Sequence, residues 1–237
     1  LRRICQDVLG GSEFPHSVTI TAWPDRKAFL EHATDSPEWA GGSYRLTMQS
    51  GIAIRELHLT QLDAEGRFDP VMIDRVLPHE MCHLVTGEFF GDAPKPLFLN
   101  EGLAMLAEHH GHTERSILAG AAMVGDAGMS LGDLLIARRE QIREPGVFYA
   151  EAYSFVSFLR EQGELPLNHL AWLSDEQFRD FLGHVKDGCA ACDAIQRAVY
   201  LPHDPEFVQK LAARWHEHAV TDARILKALR DATLAAR

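Results

Sequence analysis

Alternation of apolar and polar residues marks the first part of the chain as strand-rich. Residues 17–23 alternate and contain many β-branched side chains, which predicts a strand. The same pattern predicts strands at 41–48 and 52–59, and Asp25 is well placed to cap a short helix between the first two strands. The pattern therefore predicts a small sheet lobe over about residues 1–68.

The apolar spacing becomes helical after this lobe and stays helical to the end of the chain. Asp69-Pro70 supplies a cap and a first-turn proline, which is a typical helix start, and Gly87 is the expected end of that helix. Pro78 lies between them, so either the helix bends there or a new helix begins after it. Further helices are predicted near residues 100–110, 114–124, 131–142, 147–162, 174–186, 190–200, 204–219 and 221–235.

These elements predict an α+β fold in a single domain of residues 1–237. The small N-terminal sheet lobe is followed by a mainly helical lobe over about residues 69–237. Hydrophobic residues make up 46% of the chain, which is enough for a packed core.

The helix predicted after Asp69 carries His-Glu-x-x-His, from His79 to His83. Residues four apart share one helix face, so the two imidazoles would lie side by side and could bind one zinc ion. Glu80 can reach the space beside the metal, where a zinc peptidase needs a general base. The alternative is an amphipathic helix with two exposed histidines, because a chain with 13 histidines in 237 residues can contain this motif by chance.

A third ligand is offered by Glu101, on the helix that follows a loop with proline and glycine. Zinc held by two histidines needs a third protein ligand and one open position for water. Two helices packed side by side would bring Glu101 to His79 and His83. The sequence therefore predicts a zinc site made of these three residues.

The two motifs together resemble the gluzincin zinc metallopeptidases, in which His-Glu-x-x-His is followed by Asn-Glu on a second helix, as in Asn100-Glu101 here. The bacterial peptidase MA-like branch is the most similar, and it often reads Pro-x-Trp-x-x-Glu-Gly-Leu-Ala at this point. This chain has Phe98 in place of the tryptophan. The resemblance implies a zincin (thermolysin-like) catalytic core, zinc as cofactor and hydrolysis of peptide bonds.

The resemblance also points to a catalytic tyrosine. One helix of the family reads Tyr-x-x-x-(Ser/Ala), and its leading tyrosine supports catalysis. Tyr149 fills that position, and Tyr153 falls where the family has serine or alanine. Tyr149 is therefore the expected second donor to the substrate oxygen and Tyr153 the fallback. The alternative is that both are aromatic core residues.

The family further implies a peptide or protein substrate that pairs with an edge strand of the small sheet, where unpaired backbone groups form a template. Gluzincin aminopeptidases hold the free amine with a Gly-x-Met-Glu-Asn stretch that is absent here, so an endopeptidase is expected. An aminopeptidase and a catalytically silent, metal-binding module are the alternatives. The intact Glu80 argues against the silent module.

Charge and hydropathy restrict the partners. A net charge of −11 makes the chain a poor match for a nucleic-acid backbone. The longest apolar run, around residues 117–124, is too short to span a bilayer. The chain opens inside an amphipathic segment without an initiator methionine, so it resembles a trimmed product. The compartment is left open, with an extracytoplasmic location as one alternative on that ground, and the oligomeric state is left open as well.

The remaining metal-ligating residues are interpreted as structural. Cys189 and Cys192 form a C-x-x-C without the two further ligands of a zinc site, so they are expected to be small apolar residues or a local disulfide. Cys82 is interpreted as core. Three histidines at the end of the Glu101 helix are expected to be solvated, with a second metal site as the alternative. They are His109, His110 and His112.

Overall fold

The computed structural model describes residues 4–6, 14–33, 40–63, 65–69, 72–125, 127–160, 173–200 and 204–235. Within them the fold is α+β, with a small three-stranded sheet and a mainly helical remainder. The chain divides into two compact units, Leu1–Gly91 with Ala107–His110, and Asp92–Leu106 with Gly111–Arg237. The helix that carries the histidine motif thus clusters with the sheet rather than with the helical lobe.

The sheet of the first unit has the strand order β1-β3-β2. Strand β3 (Ile52–Thr60) lies in the centre, parallel to β1 (Thr19–Trp23) and antiparallel to β2 (Gly42–Gln49). Helix α1 (Arg26–His32) begins where the Asp25 carboxylate accepts a hydrogen bond from the Ala28 amide at 2.8 Å. The three strands and this helix confirm the elements predicted from the alternation.

Helix α2 (Met72–Phe90) carries the histidine motif and runs without a break through Pro78. The prediction that Gly87 ends this helix is wrong. Gly91 follows the last helical residue with φ of 58°, a left-handed conformation that glycine adopts without strain. Pro70, the other part of the predicted start signal, lies outside the described residues.

An ion pair ties α2 to the sheet of the first unit. The Arg55 guanidinium on β3 donates to the Glu88 carboxylate near the end of α2, and the arginine side chain is almost fully buried. Because a buried charge is costly without a partner, this pair favours one position of the helix on the sheet.

The described part of the second unit is helical. The last helix, α9 (Phe207–Ala235), is continuous, whereas the apolar spacing predicted two helices in this region. It continues because neither glycine nor proline separates the two predicted segments. None of the described helices is both long and apolar enough to cross a membrane. The helices are α3 (Leu97–Ala107), α4 (His112–Val124), α5 (Leu131–Ile136), α6 (Pro145–Arg160), α7 (Asp175–Lys186), α8 (Ala191–Ala198) and α9 (Phe207–Ala235).

Helices α3 and α6 approach each other closely at Gly102. A Cβ atom on this residue would lie 2.5 Å from Val156 Cγ2 and 2.6 Å from the Ala152 carbonyl oxygen, so a larger residue would push the helices apart. The buried rings of Phe98 and Phe155 pack nearby, with centroids 5.6 Å apart. This contact fixes the surroundings of Glu101, the residue before Gly102.

Helix α5 stops at Ile136, six residues before its predicted end. A short 3-10 turn follows at Arg139–Gln141. The Gln141 side chain closes that turn by accepting a hydrogen bond from the Arg138 amide at 3.1 Å. Arg139 therefore lies on a tight, locally stabilised turn and not on a continuous helix.

Candidate metal centre

One helical turn of α2 places the two motif histidines side by side. Their Nε2 atoms are 3.1 Å apart, and the two rings are nearly perpendicular at 86°. In a tetrahedral zinc site with Zn–N distances of about 2.0–2.1 Å, two nitrogen ligands lie roughly 3.3 Å apart. The pair His79 and His83 therefore has a spacing that fits two ligands of one metal ion.

Glu108, which is not among the site residues predicted from the sequence, orients His79. The Glu108 carboxylate accepts a hydrogen bond from His79 Nδ1 at 2.8 Å, and its side chain is only 3% exposed. With the proton on Nδ1, neutral His79 directs the lone pair of Nε2 towards His83. Metal-binding histidines commonly have such a carboxylate partner. The available signal was an acidic residue two helical turns after Glu101.

The candidate base Glu80 lies against the first residue of β2. A Cβ atom on Gly42 would be 2.7 Å from Glu80 Cγ and 3.0 Å from its Oε1, so the strand can approach Glu80 only because position 42 has no side chain. Tyr44, two residues along β2, has its ring centroid 5.8 Å from that of His83. Strand β2 therefore runs beside the motif residues of α2.

Within the second unit, Glu101 on α3 is buried and has a cationic neighbour. Arg139 Nη2 donates to Glu101 Oε1 at 3.3 Å, and the arginine side chain is 57% exposed whereas that of the glutamate is 5% exposed. The sequence pattern gives no sign of Arg139, because position 139 falls within the helix predicted over residues 131–142.

Tyr149 on α6 belongs to the same surroundings. Burial and the negative charge of Glu101 raise the pKa of Tyr149 to about 12, and the charge of Arg139 acts in the opposite direction. The phenol is therefore protonated at neutral pH and can donate one hydrogen bond. The Tyr149 phenol therefore responds to the charge of Glu101, the proposed ligand.

Tyr153 has different surroundings. Its buried ring stacks on that of His112, with centroids 5.2 Å apart and an interplanar angle of 18°. The Arg115 guanidinium lies 6.0 Å from the same ring. Tyr153 therefore packs against residues of α4, whereas the pKa of Tyr149 responds to the charge of Glu101.

The other metal-ligating residue types have ordinary structural surroundings. Cys82 is buried, which confirms its interpretation as core. Cys189 and Cys192 are free, half-buried thiols, which agrees with the first of the two predicted alternatives, small apolar residues, and not with a local disulfide. His110 is exposed and lies 3.6 Å from the carboxylate of Asp74. His112 is only half-exposed, and its Nε2 lies 3.0 Å from the Met105 carbonyl oxygen.

No family model, curated protein or solved structure matches the chain. The resemblance to gluzincins is therefore carried by the two short motifs alone. What the site can do has to be inferred from its own residues.

Proposed function

We propose that this chain is a zinc-dependent peptidase with a zincin core, in which His79, His83 and Glu101 bind the metal. These residues offer two imidazole nitrogens and one carboxylate oxygen. Two histidines and one glutamate are a donor set of catalytic zinc sites, where a fourth position is open for water or substrate. The observation that carries the proposal is the His79–His83 pair, with facing Nε2 atoms and a buried carboxylate behind His79.

The short separation between Glu101 and Glu108 in the chain supports Glu101 as the third ligand. Glu101 lies on α3, and Glu108 follows directly after Ala107, the last residue of that helix. Glu108 is hydrogen-bonded to His79.

Each remaining residue has one task in the proposed reaction. Zinc, when bound, supplies a Lewis acid that polarises a peptide carbonyl and makes water more acidic. Glu80 takes the proton of the attacking water and passes it to the leaving nitrogen. Tyr149 donates a hydrogen bond to the carbonyl oxygen as this atom gains negative charge. Glu80 is next to the proposed ligand His79 in sequence, and the charge of the proposed ligand Glu101 acts on the pKa of Tyr149.

The outer edge of β2 is the proposed binding place for an extended peptide. The Thr60 amide donates to the Gly41 carbonyl oxygen at 2.9 Å, so Gly41 and Thr60 form a hydrogen-bonded antiparallel pair. The backbone groups of the alternate residues Gly42 and Tyr44 then point away from β3. Among the described residues no strand pairs with this edge. An added strand would pass close to Glu80 and His83, which these two β2 residues contact.

The proposal predicts that the zinc-loaded chain hydrolyses peptides and that N-terminal acetylation does not stop cleavage. An endopeptidase has no need of a free amine, so acetylated and free peptides of one sequence should be cleaved at the same bond. Mass spectrometry of a peptide library, with zinc measured by elemental analysis, provides the test. Cleavage of the free peptides alone would identify an aminopeptidase. A zinc-loaded chain that cleaves no peptide would favour the metal-binding module.

Tyr149→Phe is expected to lower kcat by about 10²–10³, the usual effect of losing one donor to a developing oxyanion. The substitution deletes only a hydroxyl group, so zinc content and melting temperature should stay close to those of the wild type. Tyr153→Phe is the matched control, because its ring packs on His112. Steady-state kinetics of the two variants decide between the tyrosines. A normal rate for Tyr149→Phe with a slow Tyr153→Phe would reverse the assignment.

A further inference from the structure

The positive charge of the Arg139 guanidinium is only partly neutralised by its one carboxylate neighbour, Glu101. The guanidinium contacts Glu101 through one nitrogen at 3.3 Å, which is long for an N–H···O hydrogen bond, and more than half of the side chain is exposed. Among the described residues the Arg139 side chain donates no other hydrogen bond and forms no other ion pair. Four of its five N–H donors are therefore available to another group.

Metal binding would increase this imbalance. Glu101 contributes one negative charge, and a divalent cation bound to it more than compensates that charge. The guanidinium then has no counter-ion among the described residues. A guanidinium whose partner carboxylate is bound to a cation favours an anionic ligand, and the planar guanidinium fork matches the geometry of a carboxylate.

We propose that Arg139 is a specificity-determining residue that binds a carboxylate of the peptide substrate. This inference rests on the proposed peptidase function. Peptides have two sources of such a group, the C-terminal carboxylate and the side chains of aspartate and glutamate. Arg139 contacts Glu101, the proposed metal ligand, at 3.3 Å. The carboxylate that it binds therefore belongs to a residue close to the cleaved bond.

The position of Arg139 on its turn suits this task. The turn Arg139–Gln141 is closed by the hydrogen bond between the Arg138 amide and the Gln141 side chain. A guanidinium on a fixed turn loses less conformational entropy on binding than one on a mobile segment. Arg143, an exposed arginine shortly after the turn, provides a matched control for loss of one positive charge.

Binding to the zinc-loaded Glu80→Gln protein tests the proposal without hydrolysis of the probe. The probes are peptides of one sequence in three forms: with a free C-terminus, with an amidated C-terminus, and with each acidic side chain replaced by its amide. Calorimetry should show roughly 10- to 100-fold tighter binding of the form that carries the essential carboxylate. Whichever replacement removes the preference identifies its source.

Adding Arg139→Gln to this protein should abolish the preference, Arg139→Lys should restore part of it, and Arg143→Gln should leave it unchanged. The preference should also require zinc, because Glu101 is the counter-ion of Arg139 in the metal-free protein. Equal binding of all peptide forms would overturn the proposal, and so would a preference that survives Arg139→Gln. A third contrary outcome is an Arg139→Gln variant that loses affinity equally for charged and neutral peptides and also contains less zinc. Failure of the peptidase function would instead appear as a wild type that cleaves no peptide.

Discussion

Glu80→Gln is expected to retain stoichiometric zinc and to lose nearly all peptidase activity. Glutamine has almost the same shape as glutamate, so it fits the space beside Gly42, but it cannot accept the proton of the attacking water. A general base contributes about 10²–10⁴ to the rate, and kcat should fall by that factor. The measurement is kcat on a cleaved peptide, with zinc determined by elemental analysis in the same sample.

Asp74→Asn is the matched control for this substitution. Asp74 lies on the same helix, and its exposed side chain lies near His110, which is outside the proposed machinery. The control should keep the wild-type kcat, since it also replaces one carboxylate by an amide on α2. A Glu80→Gln variant that hydrolyses peptides at the wild-type rate would remove Glu80 from the mechanism. A variant that also loses its zinc would show that Glu80 contributes to metal binding.

The local features of this chain were predictable because they depend on short-range geometry. The alternation around residues 17–23 and 52–59 is enough to predict β1 and β3, because the side-chain period of a strand is two residues. The spacing of His79 and His83 fixes their common helix face, and their Nε2 atoms lie 3.1 Å apart. The prediction of two helices that meet near residue 220 is wrong. One helix spans this region, because the segment contains no glycine or proline to end it.

The contacts that complete the site join residues far apart in the chain. The apolar periodicity of the sequence predicts helices and strands but not contacts of this kind. Glu108 meets His79 across 29 positions, and Arg139 meets Glu101 across 38. The position of Arg139 also depends on the early end of α5. In a helix that continued to residue 142, Arg139 would lie on the helix and not on the separate turn that follows it. The close approach of Gly42 to Glu80 likewise depends on how α2 packs on the sheet. Such packing is decided by the whole core of the unit rather than by local sequence.

Zinc affinity is expected to fall in two distinct steps when the ligands and their supporting carboxylate are changed. His83→Ala removes one of two nitrogen ligands and should abolish stoichiometric zinc. Glu108→Gln leaves all proposed ligands in place but replaces the carboxylate that accepts from His79 Nδ1, so zinc affinity should fall by about 10–100-fold. Competition with a chelator of known affinity measures both effects.

His110→Ala is the control, because this exposed histidine lies in the same short segment as Glu108. It should bind zinc as the wild type does, and circular dichroism should show that all three variants keep their helix content. Full zinc in His83→Ala would place the metal elsewhere in the chain. A loss in Glu108→Gln as complete as that in His83→Ala would make Glu108 a ligand. An intermediate affinity is what an orienting carboxylate produces, because it holds the imidazole ring and its tautomer without touching the metal.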